Sequence, residues 1–120
     1  MRLQESGEMY LETILILSQR MENVRAIDIG EEMGYSKPSV SRALKILKEN
    51  SYINVDKNGY ITLSKTGREI AEKIYERHQV LSEILIKLGI DPVIAIEDAC
   101  RMEHVISDTS FEAIKKYIRK

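Results

Sequence analysis

The chain has 120 residues, of which 43% are hydrophobic and 31% charged, and its formal net charge is −1. This balance excludes a disordered chain, and the length suits one domain or two small ones that share a core. No apolar run reaches the roughly 18 residues of a membrane span, and the first residues lack the apolar core of a signal peptide. Because a single cysteine cannot form an intrachain disulfide, we expect a cytoplasmic protein with a reduced thiol.

The first predicted element is a helix that begins near Ser6, as its cap, and continues to about Met21. Its apolar arc is wide, which predicts burial against more than one neighbour. Met9 and Glu12 are three residues apart and therefore share one face of this helix. On spacing alone, Met9 is interpreted as a packing residue.

A helix-turn-helix pattern follows. A short helix over residues 26–33 ends at Gly34, Ser36 caps the next helix, and Pro38 lies in its first turn. The second helix is apolar on one side and carries small polar and basic side chains on the other, which suits a major groove. An ordinary helical hairpin with a solvated face is the alternative. The candidate DNA contacts are Ser36, Lys37, Pro38, Ser39, Ser41, Arg42 and Lys45.

A β-hairpin is predicted directly after this helix. Residues 52–55 and 60–63 are strand-like, and Asn58-Gly59 is a preferred two-residue hairpin turn. A hairpin in this place is a wing, and Lys57 at its tip is a candidate contact to the DNA backbone. From Lys37 to Arg68 there are seven basic residues against two acidic ones, which favours DNA binding over a winged helix used only for protein association.

The second half of the chain is predicted to be helical. Ser64 caps a long helix over residues 65–88, Asp91-Pro92 begins another, and Thr109 begins a capping box for the last. Three helices of this length cannot bury their own apolar faces, which predicts a homodimer. The predicted fold is mainly α, with a winged helix-turn-helix domain over residues 1–72 and an all-helical dimerisation domain over residues 73–120.

The only cysteine belongs to a cluster of metal-binding residue types. Cys100, Glu103 and His104 stand at i, i+3 and i+4, so on a continuous helix they project from one face. Sulfur and imidazole donors favour transition metals over magnesium and calcium. The alternative is a buried cysteine beside a solvated helix face.

With the wing and the cysteine segment both in view, the chain resembles the diphtheria toxin repressor family of iron- and manganese-dependent transcription regulators. The likeness covers nearly the whole chain, and it implies a short form without the SH3-like domain of longer members. The segment from Ala99 to Asp108 is its most specific part. The other matching pieces are Glu8-Met9-Tyr10-Leu11, Asp28-Ile29, Pro38-Ser39-Val40-Ser41 and Leu63-Ser64-Lys65-Thr66-Gly67.

The resemblance implies a regulatory metal site formed by Met9, Cys100, Glu103 and His104. In the family, the manganese-selective branch has carboxylates at the positions of Met9 and Cys100, whereas the iron-responsive branch has Met and Cys. The sulfur pair therefore favours Fe²⁺, with Mn²⁺ as the alternative and other divalent transition metals as in vitro substitutes.

The resemblance also implies a second metal site, formed by Glu12 and His78, or by these two with Glu103. These residues match the manganese branch. The ancillary site of the iron branch would need a carboxylate and a histidine where this chain has Ser82 and Ile96. A solvated or packing role for His78 remains the alternative.

Three classes of function follow from the sequence. The first is a metal-dependent regulator, expected to be a repressor, that binds palindromic operator DNA as a homodimer. The second is a metal-independent winged-helix regulator in which Cys100 senses oxidation or is merely packed. The third, a metalloenzyme, is weakest because the sequence has no nucleophile–base pair and no phosphate-binding glycine loop. We therefore predict that the protein is not an enzyme.

Overall fold

In a computed structural model, which describes residues 4–120, the chain forms six helices and one two-stranded antiparallel sheet. It divides into two compact units, Met1–Glu72 and Lys73–Lys120. The mainly α fold with an N-terminal winged helix-turn-helix is confirmed. The elements are α1 (Glu5–Arg20), α2 (Ala26–Met33), α3 (Lys37–Glu49), β1 (Ile53–Val55), β2 (Ile61–Leu63), α4 (Lys65–Lys87), α5 (Pro92–Met102) and α6 (Asp108–Ile118).

The core of the first unit lies where α1, α2, α3 and the sheet meet. Helix α1 packs on α2, α3 and β2, and α3 packs on β1. Leu11, Ile14 and Ile29 are fully buried, as the apolar stripes of α1 and α2 require. Helix α1 begins one residue before the predicted cap, with Gln4 as an N-cap that makes no side-chain hydrogen bond, so the prediction of Ser6 as the cap was wrong.

The turn of the helix-turn-helix forms as predicted. Gly34 ends α2 in the left-handed region, with φ 72°, and its N–H donates to the carbonyl of Gly30 at 2.9 Å. Ser36 then caps α3, because its hydroxyl accepts from the N–H of Ser39 at 3.4 Å. The end of α2 and the start of α3 are thus both capped. Helix α3 buries Val40 in the core and leaves its other face to solvent.

The wing forms as predicted, but its tip is not a two-residue Asn-Gly turn. Val55 pairs with Ile61, and the N–H of Asp56 donates to the carbonyl of Tyr60, which leaves a three-residue loop over residues 57–59. The carboxylate of Asp56 accepts from the N–H groups of Asn58 and Tyr60, both at 2.9 Å, and Gly59 has φ 81°. These bonds favour a turn followed by a left-handed glycine over the predicted two-residue Asn-Gly turn.

The second unit contains α5, α6 and most of α4, and Phe111, Leu81 and Ala99 are among its buried residues. Asp91 caps α5 as predicted, and its carboxylate accepts from the N–H of Val93 at 2.9 Å. The last helix begins earlier than predicted. Its cap is Ser107, whose hydroxyl accepts from the N–H of Ser110 at 3.1 Å, so the predicted capping box at Thr109 was wrong.

The start of α4 is fixed against the segment before β1. Ser64 caps α4, accepting from the N–H of Gly67 at 3.0 Å, and its own hydroxyl donates to the carbonyl of Tyr52 at 2.9 Å. A Cβ added at Gly67 would lie 2.0 Å from that carbonyl oxygen, which is closer than any real contact. Position 67 therefore requires glycine for close approach of two main-chain segments.

We predict that Gly67→Ala lowers the free energy of unfolding by about 1–3 kcal/mol, because a main-chain carbonyl must move to admit the methyl group. The matched control is Gly30→Ala, also in a helix, where the new Cβ would lie 3.5 Å from its nearest neighbours. This control should be neutral or more stable by up to about 1 kcal/mol, from better helix propensity. Urea denaturation of both variants checks this, and equal stabilities would show that the close approach is not rigid.

Candidate functional site

Glu103 is the centre of a polar cluster in the second unit. Helix α5 ends at Met102, and Glu103 is its C-cap, with φ −60° and its N–H donating to the carbonyl of Ala99 at 2.9 Å. The condition of one continuous helix from Cys100 through His104 is therefore not met, because Glu103 is the cap and His104 lies beyond α5. The side chain of Glu103 is 0% exposed, which is unusual for a carboxylate.

Two imidazoles flank this carboxylate. Nδ1 of His78, from α4, lies 2.9 Å from Oε2 of Glu103, and Nε2 of His104 lies 3.3 Å from Oε1. The side chain of His104 is fully buried and that of His78 is 26% exposed. His78 therefore contacts a predicted ligand of the regulatory site, rather than lying apart on a solvated helix face.

These residues fit a divalent transition metal. Burying a carboxylate is costly unless opposite charge or hydrogen bonds compensate it. Here Oε2 of Glu103 has a hydrogen-bond contact with Nδ1 of His78, and imidazole rings are themselves common ligands of divalent transition metals. Two nitrogen donors thus approach the two different oxygens of one buried carboxylate within the second unit.

The other predicted ligands lie on two helices. Cys100 is half-buried on α5, one turn before Glu103. Met9 and Glu12 are on α1, where Met9 is half-buried and Glu12 is 8% exposed. Ligation of a metal by Cys100, Met9 and Glu12 stays a prediction.

Arg77 was not anticipated from the sequence. Its side chain is only 7% exposed, and it donates to the carbonyls of Glu103 and Ile106 and to the carboxylate of Asp108. Hydrogen bonding and charge from Lys73, followed by a hydrogen bond from Arg77, lower the pKa of Asp108 below its usual 3.8. The sequence carried a signal, because Arg77 stands in the apolar stripe of α4, between Ile74 and Leu81 at helical spacing.

The first unit presents the predicted DNA-contacting residues at its surface. Lys37, Arg42 and Lys45 of α3 are exposed, on the opposite side from the buried Val40 and Leu44, as are Pro38 and Ser41. Ser36 is also exposed, but its hydroxyl donates to that of Ser39 at 2.9 Å, and Ser39 is half-buried. Lys57 is exposed at the tip of the wing.

A winged helix-turn-helix with a local basic excess from Lys37 to Arg68, followed by a helical unit with a buried carboxylate–imidazole cluster, is the architecture of a metal-responsive transcription regulator. Comparison with known families agrees. The family model "Iron dependent repressor, N-terminal DNA binding domain" matches residues 2–65. The model "Iron dependent repressor, metal binding and dimerisation domain" matches residues 64–120. The chain therefore belongs to the iron-dependent repressor family, whose members are transcriptional regulators and not enzymes.

Individual relatives agree with this assignment. The chain is 32% identical over 111 residues to the transcriptional regulator MntR of Escherichia coli O6:H1, covering 92% of this chain and 72% of MntR. It is 27% identical to the diphtheria toxin repressor of Corynebacterium diphtheriae over 98% of this chain and 52% of that protein. A solved structure of the manganese regulator SloR superposes with a TM-score of 0.84 at 30% identity, covering 99% of this chain and 55% of SloR.

Within residues 4–120, no helix combines the length and the apolar character that crossing a membrane requires.

Proposed function

We propose that this protein is a repressor that binds palindromic operator DNA as a homodimer when Fe²⁺ or Mn²⁺ is bound. The observation that carries the proposal is the fully buried carboxylate of Glu103 between His78 and His104. It lies in the half of the chain that matches a metal-binding and dimerisation domain. A buried oxygen and nitrogen donor set in that half is the chemistry that such a regulator needs.

The proposed ligands of the regulatory metal are Met9, Cys100, Glu103 and His104. The contact between His78 and Glu103 supports adding His78, with Glu12, as ligands of a second ion or of a shared one. When bound, the ion supplies positive charge that holds these donors together. The carboxylate and imidazoles of the second unit give hard and intermediate donors, while Met9 and Cys100 add sulfur, which favours Fe²⁺.

The DNA-binding part of the proposal depends on α3 and the wing. Arg42 lies on the exposed face of α3, where a guanidinium can bond O6 and N7 of one guanine. The Ser36 hydroxyl donates to that of Ser39 and caps the helix by accepting from the Ser39 N–H, so we assign both serines a role in shaping the start of α3. Lys57 in the wing is suited to a phosphate contact, which adds affinity without base preference.

The homodimer is supported by exposed apolar side chains in the second unit. Leu88 is 71% exposed and Val93 66%, and Ile86, Ile94 and Ile96 are also exposed. Soluble chains seldom leave such a group of side chains in water, and an interface is the usual reason. We propose that a second copy covers this surface, since a two-fold dimer also suits two half-sites in palindromic DNA.

The central prediction concerns metal-dependent DNA binding. Duplexes selected from a randomised pool by the parent protein in Mn²⁺ serve as the probe. Mn²⁺ or anaerobic Fe²⁺ should raise the affinity of the parent for these duplexes by roughly 5–150-fold. Glu103→Gln should bind them equally with and without metal, because it loses the central charge. Fluorescence anisotropy measures both, with exposed Glu97→Gln of α5 as the matched control.

The same titration separates the alternative function. If a thiol oxidant changes the DNA affinity of the parent and neither metal does, the protein is a redox-sensing regulator that acts through Cys100. In that case, Glu103→Gln and Glu97→Gln should behave alike.

A second prediction distinguishes base contacts from phosphate contacts. Arg42→Ala should cost about 1–3 kcal/mol and relax the preference at one position in each half-site. Lys57→Ala should weaken binding to all sequences and reduce the salt slope by about 1. Affinities for single-base variants of the selected duplex, measured at several salt concentrations, check both. An unchanged base preference in Arg42→Ala would place another residue in the groove.

A third prediction concerns the dimer. Ile94→Asp should shift the protein towards monomer, because it buries a charge in the proposed interface. The matched control is Tyr117→Asp on α6, which places the same charge on another exposed apolar residue of the second unit. Sedimentation velocity at several concentrations measures the monomer fraction. The interface is misplaced if Tyr117→Asp dissociates the dimer and Ile94→Asp does not.

A further inference from the structure

We propose that Arg77 is a positioning residue of the metal centre, because its guanidinium fixes the main chain that carries Glu103 and His104. This inference rests on the proposed function, since it concerns the same metal site. In this proposal α4 has two roles, because it supplies His78 beside the Glu103 carboxylate and Arg77 beside the Glu103 main chain. No part of the ligand set itself is assigned to Arg77, because a guanidinium has no electron pair to offer a cation.

The contacts of Arg77 surround the segment that follows α5. Nη1 donates to the carbonyl of Glu103 at 3.1 Å and to that of Ile106 at 2.8 Å. Nη2 donates to Oδ1 of Asp108, the first residue of α6, at 2.5 Å. The guanidinium carbon also lies 5.5 Å from the ring centroid of Phe111. One side chain thus ties the end of α5, the connecting loop and the start of α6 to α4.

Successive residues of α4 hold different parts of Glu103. Arg77 bonds its main-chain carbonyl and His78 contacts its carboxylate. The Glu103 carbonyl is at the C-terminal end of α5, where carbonyls lack helical partners and a positive charge is favourable. Fixing both the backbone and the side chain leaves the Glu103 carboxylate little freedom, and ligands fixed in this way bind metal more tightly.

A contribution to folding stability does not by itself explain why an arginine is buried at position 77. A charged group in the apolar stripe of a helix carries a desolvation cost that an apolar residue of similar size avoids. The Nε of Arg77 is buried and has no hydrogen-bond partner within the part of the chain that the structure describes, which adds to this cost. The fork of the guanidinium instead supplies donors in fixed directions to three acceptors, which a lysine cannot reproduce.

The test compares Arg77→Lys with the parent in Mn²⁺ binding by calorimetry, in the visible absorption bands of bound Co²⁺ and in metal-free thermal unfolding. Lys73→Met is the matched control, because Lys73 bonds the same Asp108 oxygen at 2.9 Å and is 55% exposed. Asp108→Asn is the second variant, should Arg77→Lys fail to fold, since Asp108 is 71% exposed and its replacement weakens only one anchor of Arg77.

We expect Arg77→Lys to lose about 10–100-fold in Mn²⁺ affinity, as replaced outer partners of metal ligands typically do. The Co²⁺ bands should shift, Asp108→Asn should show a smaller loss, and Lys73→Met should match the parent. If Arg77→Lys or Asp108→Asn is less stable but binds Mn²⁺ with the affinity and Co²⁺ spectrum of the parent, Arg77 is merely structural. If the parent itself binds no metal, the proposed function and this inference both fail.

Discussion

The arrangement of the second unit depends on the burial of the Glu103 carboxylate, which by itself is energetically unfavourable. A buried carboxylate needs partners with hydrogen-bond donors or positive charge. Nδ1 of His78 on α4 meets that need at Oε2, at 2.9 Å, and Nε2 of the neighbouring residue His104 lies 3.3 Å from Oε1. The end of α5 at Met102 and the path of the following loop place these groups around the carboxylate. The position of the polar cluster therefore depends on where α5 ends.

The first unit is organised by a different constraint, the exact ends of its helices. Gly34 and Ser36 stop α2 and start α3 within three residues, so the exposed face of α3 is set relative to α2 by local bonds. The same holds at α4, where Ser64 and Gly67 bring the helix start against the Tyr52 carbonyl. Rigid placement of a recognition helix is what base readout requires, because base contacts have strict geometry.

These two constraints explain how far the sequence could predict the structure. The caps Ser36, Ser64 and Asp91 were predictable because each bonds a backbone N–H two or three residues away. Where several serines, threonines or acids nearby could bond the same backbone N–H groups, the predicted cap or turn was wrong, as at Ser107 and in the Asp56 loop. The contacts of His78 and Arg77 with Glu103 span 25 and 26 positions, so residue spacing could not predict them. The family resemblance had brought His78 and Glu103 together, whereas the contact of Arg77 is seen only in the packed structure.

Metal preference follows from separating the donors by how firmly they are held. In the proposed ligand set, Glu103 is fixed through both its main chain and its carboxylate, and its imidazole neighbours are nitrogen donors that suit several divalent transition metals. These oxygen and nitrogen donors are therefore suited to binding a divalent metal but not to discriminating between iron and manganese. We propose that the choice between metals rests with Met9 and Cys100, because the softness of their sulfur differs from that of oxygen and nitrogen. A relative that is named a manganese regulator and a family that is named for iron are both compatible with this proposal.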